Sequence, residues 1–237
     1  MVGISEIAAS IIGDASRSLE VSSQNLVNSS TPGYKKRVSF GHILAANESA
    51  TSSVVANIAT GNATDFSSGK LISTGNPCDL AIADAGFFTV RTQAGQALYL
   101  RGGQFHRDPE GRLVTGGGQA LQADGGDLVL KAGDFKVAGD GVVTQGGEPV
   151  GRLDIVDFAD RQSLGRDGSG AFTAVDGQAS PVTTATVQQG VVEASNVTTA
   201  DEMVSLMGAV RRAETGQRLM GVYDDLMGRV LSTFGQA

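Results

Sequence analysis

The first thirty residues repeat apolar or small side chains at Ile4, Ala8, Ile12, Ala15, Leu19, Ser22 and Leu26. Steps of four and three place these positions on one face of a helix. Much of the stripe is Ala or Ser, so a partner packing there comes close, and Asn25 and Asn28 add polar groups near its end. Thr31-Pro32-Gly33 then stops the helix, because proline drives the residue before it out of the helical region and glycine permits a turn.

A second helical pattern closes the chain. Thr199-Ala200-Asp201-Glu202 has the spacing of a capping box, in which the Thr199 hydroxyl caps the helix and Glu202 reaches back to the cap N–H. Apolar residues follow at Met203, Leu206, Met207, Val210, Leu219, Met220, Val222, Tyr223, Leu226, Met227, Val230, Leu231 and Phe234. That stripe is too wide for one two-stranded seam and predicts more than one neighbour. A helix over residues 200–234 would be about 50 Å long at a rise of ~1.5 Å per residue. A compact domain of ~155 residues is only roughly 40 Å across, so the helix overshoots its own domain. Gly208, Gly216, Gly221 and Gly228 weaken it by about 0.8–1 kcal/mol each. Both chain ends are therefore expected to be weakly ordered alone and to gain stability when helices of many subunits pack together.

Between the ends, from Leu80 to about Val192, short β-type runs alternate with Gly, Asp and Asn turn signals. The predicted strands are residues 86–91, 97–100, 112–115, 127–130 and 153–156, an all-β domain. Residues 41–75 are rich in Ser, Thr, Ala and Asn and carry no periodic signal, which reads as an extended arm or loop. The predicted architecture is α+β, mainly β with long terminal helices. Its divisions are 1–34 (helix and turn), 35–75 (arm), 76–192 (antiparallel β domain) and 193–237 (C-terminal helix).

Composition narrows the function more than the fold. Glycine accounts for 33 of 237 residues, an excess that suits many tight turns, and no Gly-X-Y period occurs. A net charge of -7 argues against a nucleic-acid partner, which needs a basic surface. The start of the chain lacks the basic segment of a cleavable secretory signal, and no run reaches membrane-spanning length. The single cysteine, Cys78, suits core packing better than reactivity.

The search for catalytic chemistry returns little. His42 and His106 are the only histidines and have no metal-like partner spacing. Gly69-Lys70 resembles a phosphate loop but lacks both the first glycine and the Ser or Thr after lysine. Asp108-Pro109-Glu110-Gly111-Arg112 lacks the ligand spacing of a calcium loop. Lys35-Lys36-Arg37 is a short basic cluster suited to a solvated face or acidic neighbours. No catalytic residue, metal site or cofactor is expected. A glycine-rich β module that binds a ligand and oligomerises through its ends is the alternative from a different class.

Three segments carry a family resemblance. Ser23-Gln24-Asn25-Leu26-Val27-Asn28-Ser29-Ser30-Thr31-Pro32-Gly33-Tyr34-Lys35 is similar to N-N-L-A-N-x-x-T-P-G-Y-K, with Ser23 and Gln24 departing from it. Thr74-Gly75-Asn76-Pro77-Cys78-Asp79-Leu80-Ala81-Ile82 and Gly86-Phe87-Phe88-Thr89-Val90 are similar to T-G-N-P-L-D-x-A-I and G-F-F-x-V. Gln189-Gly190-Val191-Val192-Glu193-Ala194-Ser195-Asn196-Val197 resembles Q-G-x-L-E-x-S-N-V. These are motifs of the axial proteins of the bacterial flagellum, its rod and hook subunits. The resemblance implies a self-assembling structural subunit whose terminal helices form an inner, coiled-coil-like tube with the β domain outside. It also implies transit through the flagellar type III export apparatus without a cleavable signal, and a place in the periplasmic rod of the basal body. Implied partners are copies of itself, other proximal and distal rod proteins, and ring proteins at the level of the peptidoglycan. Length excludes the larger hook subunit, and Asp65-Phe66-Ser67-Ser68-Gly69 looks closer to the proximal than to the distal rod subunits. The residues assigned to assembly are Asn25, Leu26, Asn28, Thr31, Pro32, Gly33, Tyr34, Ser195, Asn196, Met203, Leu206, Val210, Met220, Gly221, Tyr223, Met227 and Gly228.

Overall fold

The N-terminal stripe folds as a single α-helix, α1, over Ile4–Val27, and the C-terminal one as α2 over Thr199–Phe234. The computed structural model describes residues 4–43, 58–167, 170–174 and 179–234; both extreme ends and the 44–57 part of the expected arm lie outside these. Contacts group the chain into two units. One comprises residues 1–29, 36–65 and 197–237, the other residues 30–35 and 66–196.

In the first unit α1 packs on α2 through small residues. Ala8 and Ala15 of α1 and Ala209 of α2 are fully buried. At Gly216 a Cβ would fall 2.6 Å from Ile12 Cγ1 and 3.2 Å from the Ala8 carbonyl oxygen, so the backbones approach closely there. The other three glycines of α2 have no such neighbour: Gly208 would meet only the Arg212 side chain at 3.5 Å, and Gly221 and Gly228 face open space.

The start of α2 differs from expectation. Glu202 does not reach back to a cap N–H; its buried carboxylate lies 2.7 Å from Lys36 Nζ instead. A cation from another segment outcompetes the local cap because it neutralises a carboxylate that is being buried. The segment read as an arm without a regular element contains strands. Arg37–Ile43 pairs antiparallel with Ile58–Thr64, in register from Arg37↔Thr64 to Ile43↔Ile58.

The second unit is antiparallel throughout its described pairs. Asp79–Ile82 lies between Val187–Gln189 and Gly102–Arg107, and the ladder continues from Gly102–Arg107 through Leu113–Thr115, Ala120–Ala123, Phe87–Arg91 and Ala97–Leu100. Leu71–Ser73, also in the supposed arm, pairs with Val191–Glu193. Alternation on one strand serves two cores. Phe88 points into the main cluster with Leu80, Ile82, Leu98, Phe105 and Leu121, whereas Phe87 points the other way, against Phe158, Leu164 and Phe172. Edge-to-face rings tie each cluster, with Phe88–Phe105 centroids at 6.3 Å and Phe87–Phe158 at 5.6 Å.

Two strand expectations shift. In the run predicted at 127–130 Asp127 ends the short strand Gly126–Asp127 and Val129 makes only an isolated bridge to Arg112, although Leu128 and Leu130 are buried as a strand's inner face would be. The run at 153–156 pairs two residues later, as Ile155–Phe158. Cys78 packs against the main core, and burial pushes its thiol above the ordinary value, which suppresses the reactive thiolate.

Candidate assembly interface

The three motifs, far apart in sequence, meet in the second unit. Gly33 N–H donates to the Glu193 carbonyl at 2.7 Å, and Asn196 N–H to the Tyr34 carbonyl at 3.4 Å. Gly33 needs the left-handed region, at φ +72, and a Cβ there would sit 3.1 Å from the Gly102 carbonyl oxygen. The central motif joins through Thr74 and Gly75, whose N–H groups both donate to the Gly190 carbonyl. Asp79 is buried at its centre, accepting from Thr74 Oγ1 at 2.6 Å and Asn76 Nδ2 at 2.8 Å. Gln189 Nε2 adds a bond to the Pro77 carbonyl.

A buried ion pair locks this junction. Lys35 and Glu193, each 1 % exposed, meet at 2.6 Å between Nζ and Oε1. Burial of charge is costly unless every polar atom finds a partner. Lys35 also donates to the Ser67 carbonyl at 2.7 Å, and the same Glu193 oxygen accepts the Gly69 N–H at 2.7 Å. The second carboxylate oxygen faces Arg101 Nε at 3.5 Å, a charge pairing too long for a hydrogen bond. Burial pushes the Arg101 guanidinium below its ordinary value and Glu193 pulls it back, while its Nη1 donates to the Gly86 carbonyl. Arg166 stacks over Tyr34 at 5.0 Å and donates to the Lys35 carbonyl, covering the motif from the other side.

The segment 66–69 wraps around this lock. Asn196 Nδ2 donates to the Ser67 carbonyl at 3.1 Å, and a Cβ on Gly69 would fall 1.9 Å from the Ala194 carbonyl oxygen. No side chain fits without moving backbone. Gly69→Ala is expected to lower stability by at least the ~1–3 kcal/mol of ordinary overpacking. The urea midpoint of the purified chain measures it; an unshifted midpoint would mean the loop is free to move.

In the first unit Asn25 is buried and bonds both ways to the Arg37 backbone, donating to its carbonyl at 2.8 Å and accepting its N–H at 2.9 Å. This fixes the return of the chain onto α1. Asn28 Nδ2 and Ser29 Oγ satisfy the Gln24 and Leu26 carbonyls at the helix end, each at 2.8 Å.

The sequence-assigned residues therefore divide. Asn25 and Tyr34 are buried within the chain, and Leu26, Asn28, Thr31, Pro32, Gly33, Ser195 and Asn196 are half-buried. On α2, Leu206 and Tyr223 are half-buried, whereas Met203, Val210, Met220 and Met227 are exposed beside Gly221 and Gly228. Lys35, Gly69, Arg101, Glu193 and Gly216 were missed as site residues. The signal for two of them was present, because Lys35 and Glu193 are opposite charges set inside motifs that are otherwise uncharged. His106 is exposed on its strand. Among the described residues no group of His, Cys, Asp and Glu is placed to hold a metal ion, and no helix is long and apolar enough to cross a membrane.

Residues 81–194 match the family model for the flagellar hook protein FlgE/F/G D1 domain, and residues 188–233 match that for the flagellar basal body rod FlgEFG protein C-terminal region. The chain is 34% identical over 212 residues to the flagellar basal-body rod protein FlgF of Caulobacter vibrioides, covering 86% of each chain. It belongs to the flagellar basal-body rod protein family. Two further relatives are 29% identical: FlgF of Escherichia coli, over 92% of this chain and 94% of that one, and FlgG of Agrobacterium fabrum, over 93% and 95%. As a member of this rod family the chain is a structural subunit of the flagellar basal body, not an enzyme. The junction of its three motifs is accordingly a piece of architecture within the second unit.

Proposed function

We propose that this chain is the proximal rod subunit, assembling with copies of itself and with other rod proteins into the periplasmic shaft that carries torque from motor to hook. The observation that carries the assembly reading is the apolar surface left uncovered on α2. Met203, Val204, Met207, Val222 and Leu226 are each at least half exposed in the single chain. So much apolar area on one helix marks a protein–protein contact, and neighbouring helices packed in a coiled-coil-like inner tube would cover it. Residues 1–34 and 193–237 form that tube in this reading, residues 76–192 lie outside it, and 35–75 bridge the two. The similarity to FlgF supports the proximal position, and passage through the type III export apparatus accompanies it. Contacts with ring proteins at the peptidoglycan level are secondary.

Gly221 and Gly228 acquire a role here. With nothing within 4 Å among the described residues, both offer room for a neighbour's helix. Gly221→Leu or Gly228→Leu is expected to block incorporation while leaving the second unit folded. Purified basal bodies test both points. Wild-type protein at the motor-proximal end of the rod, with both variants absent, is the expected result; a hook-proximal position overturns the proximal reading, and normal rods in both variants overturn the glycine contact.

A further inference from the structure

A groove of about 320 Å³ in the first unit runs between α1, the start of the hairpin and α2. Its walls are kept low by Ser18, Ser22, Ser205 and Gly208. Its charges are Lys36, Arg37 and Arg212 against a single carboxylate, Glu202, already taken by Lys36 at 2.7 Å. Arg37 bonds to the neutral Gln24 amide, and Arg212 makes no ion pair or side-chain hydrogen bond among the described residues. In a chain of net charge -7 this groove is a local excess of positive charge. Its rim is apolar, with Val38 41% and Val204 65% exposed.

The complementary surface lies on the same helix. Asp224 and Asp225 are exposed and form no ion pair among the described residues. Around them Met220, Val222, Leu226 and Met227 are exposed as well. An acidic pair set in apolar surface matches a basic groove with an apolar rim. We infer that the groove of one copy receives the Asp224–Asp225 turn of a second copy's α2. This rests on the rod-subunit reading and names its contact.

Two different patches on one chain make a head-to-tail contact, which does not close on itself and continues as a filament. The groove is centred near Gly208 on α2, so the acidic turn lies about 17 residues beyond it. At ~1.5 Å per residue, parallel copies in this contact are offset by about 25 Å along the helix. The apolar rim supplies burial, and the charges fix which register along α2 is chosen.

Charge exchange tests the contact in cells carrying the full chain. Arg212→Glu alone and Asp225→Arg alone are each expected to reduce the protein recovered in purified basal bodies at least tenfold, and the double variant to restore most of it. Circular dichroism of each purified variant should match wild type, since both side chains are exposed. As a second readout, Arg212→Cys with Asp225→Cys in a Cys78→Ser background should give a ladder of disulfide-linked dimers and higher multimers in oxidised basal bodies. Undiminished incorporation of both single variants overturns the proposal. So does loss with Arg212→Glu alone that Asp225→Arg does not rescue, because the groove would then hold something other than a second copy. The rod reading is judged separately by the wild-type protein: its absence from basal bodies defeats that reading, whereas its presence with indifferent variants defeats only this contact.

Discussion

Glu193→Leu is expected to cost about 3–5 kcal/mol, the usual penalty for removing one partner of a buried ion pair. Domains of this size are stable by only ~5–15 kcal/mol, so the change consumes a large part of the margin. The reason lies in what is left behind. Lys35 at 1 % exposure and Arg101 at 4 % would both stay buried, with no carboxylate between them. Lys35→Met should cost less, because Glu193 retains Arg101 and the Gly69 N–H. The double variant should fall short of the sum, since the two changes remove one shared interaction. Urea midpoints of the three variants give the order directly. A Lys35→Met cost equal to or above that of Glu193→Leu, or a Glu193→Leu cost below about 1 kcal/mol, would mean that water reaches the pair and screens it.

That ion pair marks the boundary of what the sequence discloses. Periodicity located both helices, because a run with one apolar face has few other ways to bury it. It located the strands at Phe87–Arg91 and Ala97–Leu100 for the corresponding period-two reason. The strands at Arg37–Ile43, Ile58–Thr64 and Leu71–Ser73 stayed hidden, since Ile58–Thr64 is mostly small residues without contrast, Leu71–Ser73 is short, and long-range pairing determines all three. The same holds for the site. The motifs at Thr31–Lys35 and Glu193–Asn196 were visible as strings, but their contact depends on how the ladder brings Val191–Glu193 back to Leu71–Ser73. Glu202 misled for the opposite reason, as a local cap spacing concealed a distant cation at Lys36. Four glycines in α2 likewise looked equivalent, and only the packing of α1 distinguishes Gly216 from the others.

Gly216→Leu is therefore expected to separate α1 from α2, at a net cost of about 1–3 kcal/mol of overpacking less the ~0.8 kcal/mol that leucine gains over glycine in helix propensity. A Cβ alone would already press on Ile12 at 2.6 Å and on the Ala8 carbonyl at 3.2 Å. Ile12 can turn aside, but the carbonyl belongs to the α1 backbone and moves only with the helix. Gly221→Ala provides the control of opposite sign. With open space around it, alanine there should stabilise α2 by about 0.8–1 kcal/mol. Thermal melts followed at the helical circular dichroism band compare the two: a lower midpoint for Gly216→Leu and a higher one for Gly221→Ala are expected. Equal shifts would mean that propensity alone governs α2 and that its contact with α1 contributes nothing. Opposite shifts would separate the two glycines, Gly216 held against the chain's own first helix and Gly221 facing space left open among the described residues.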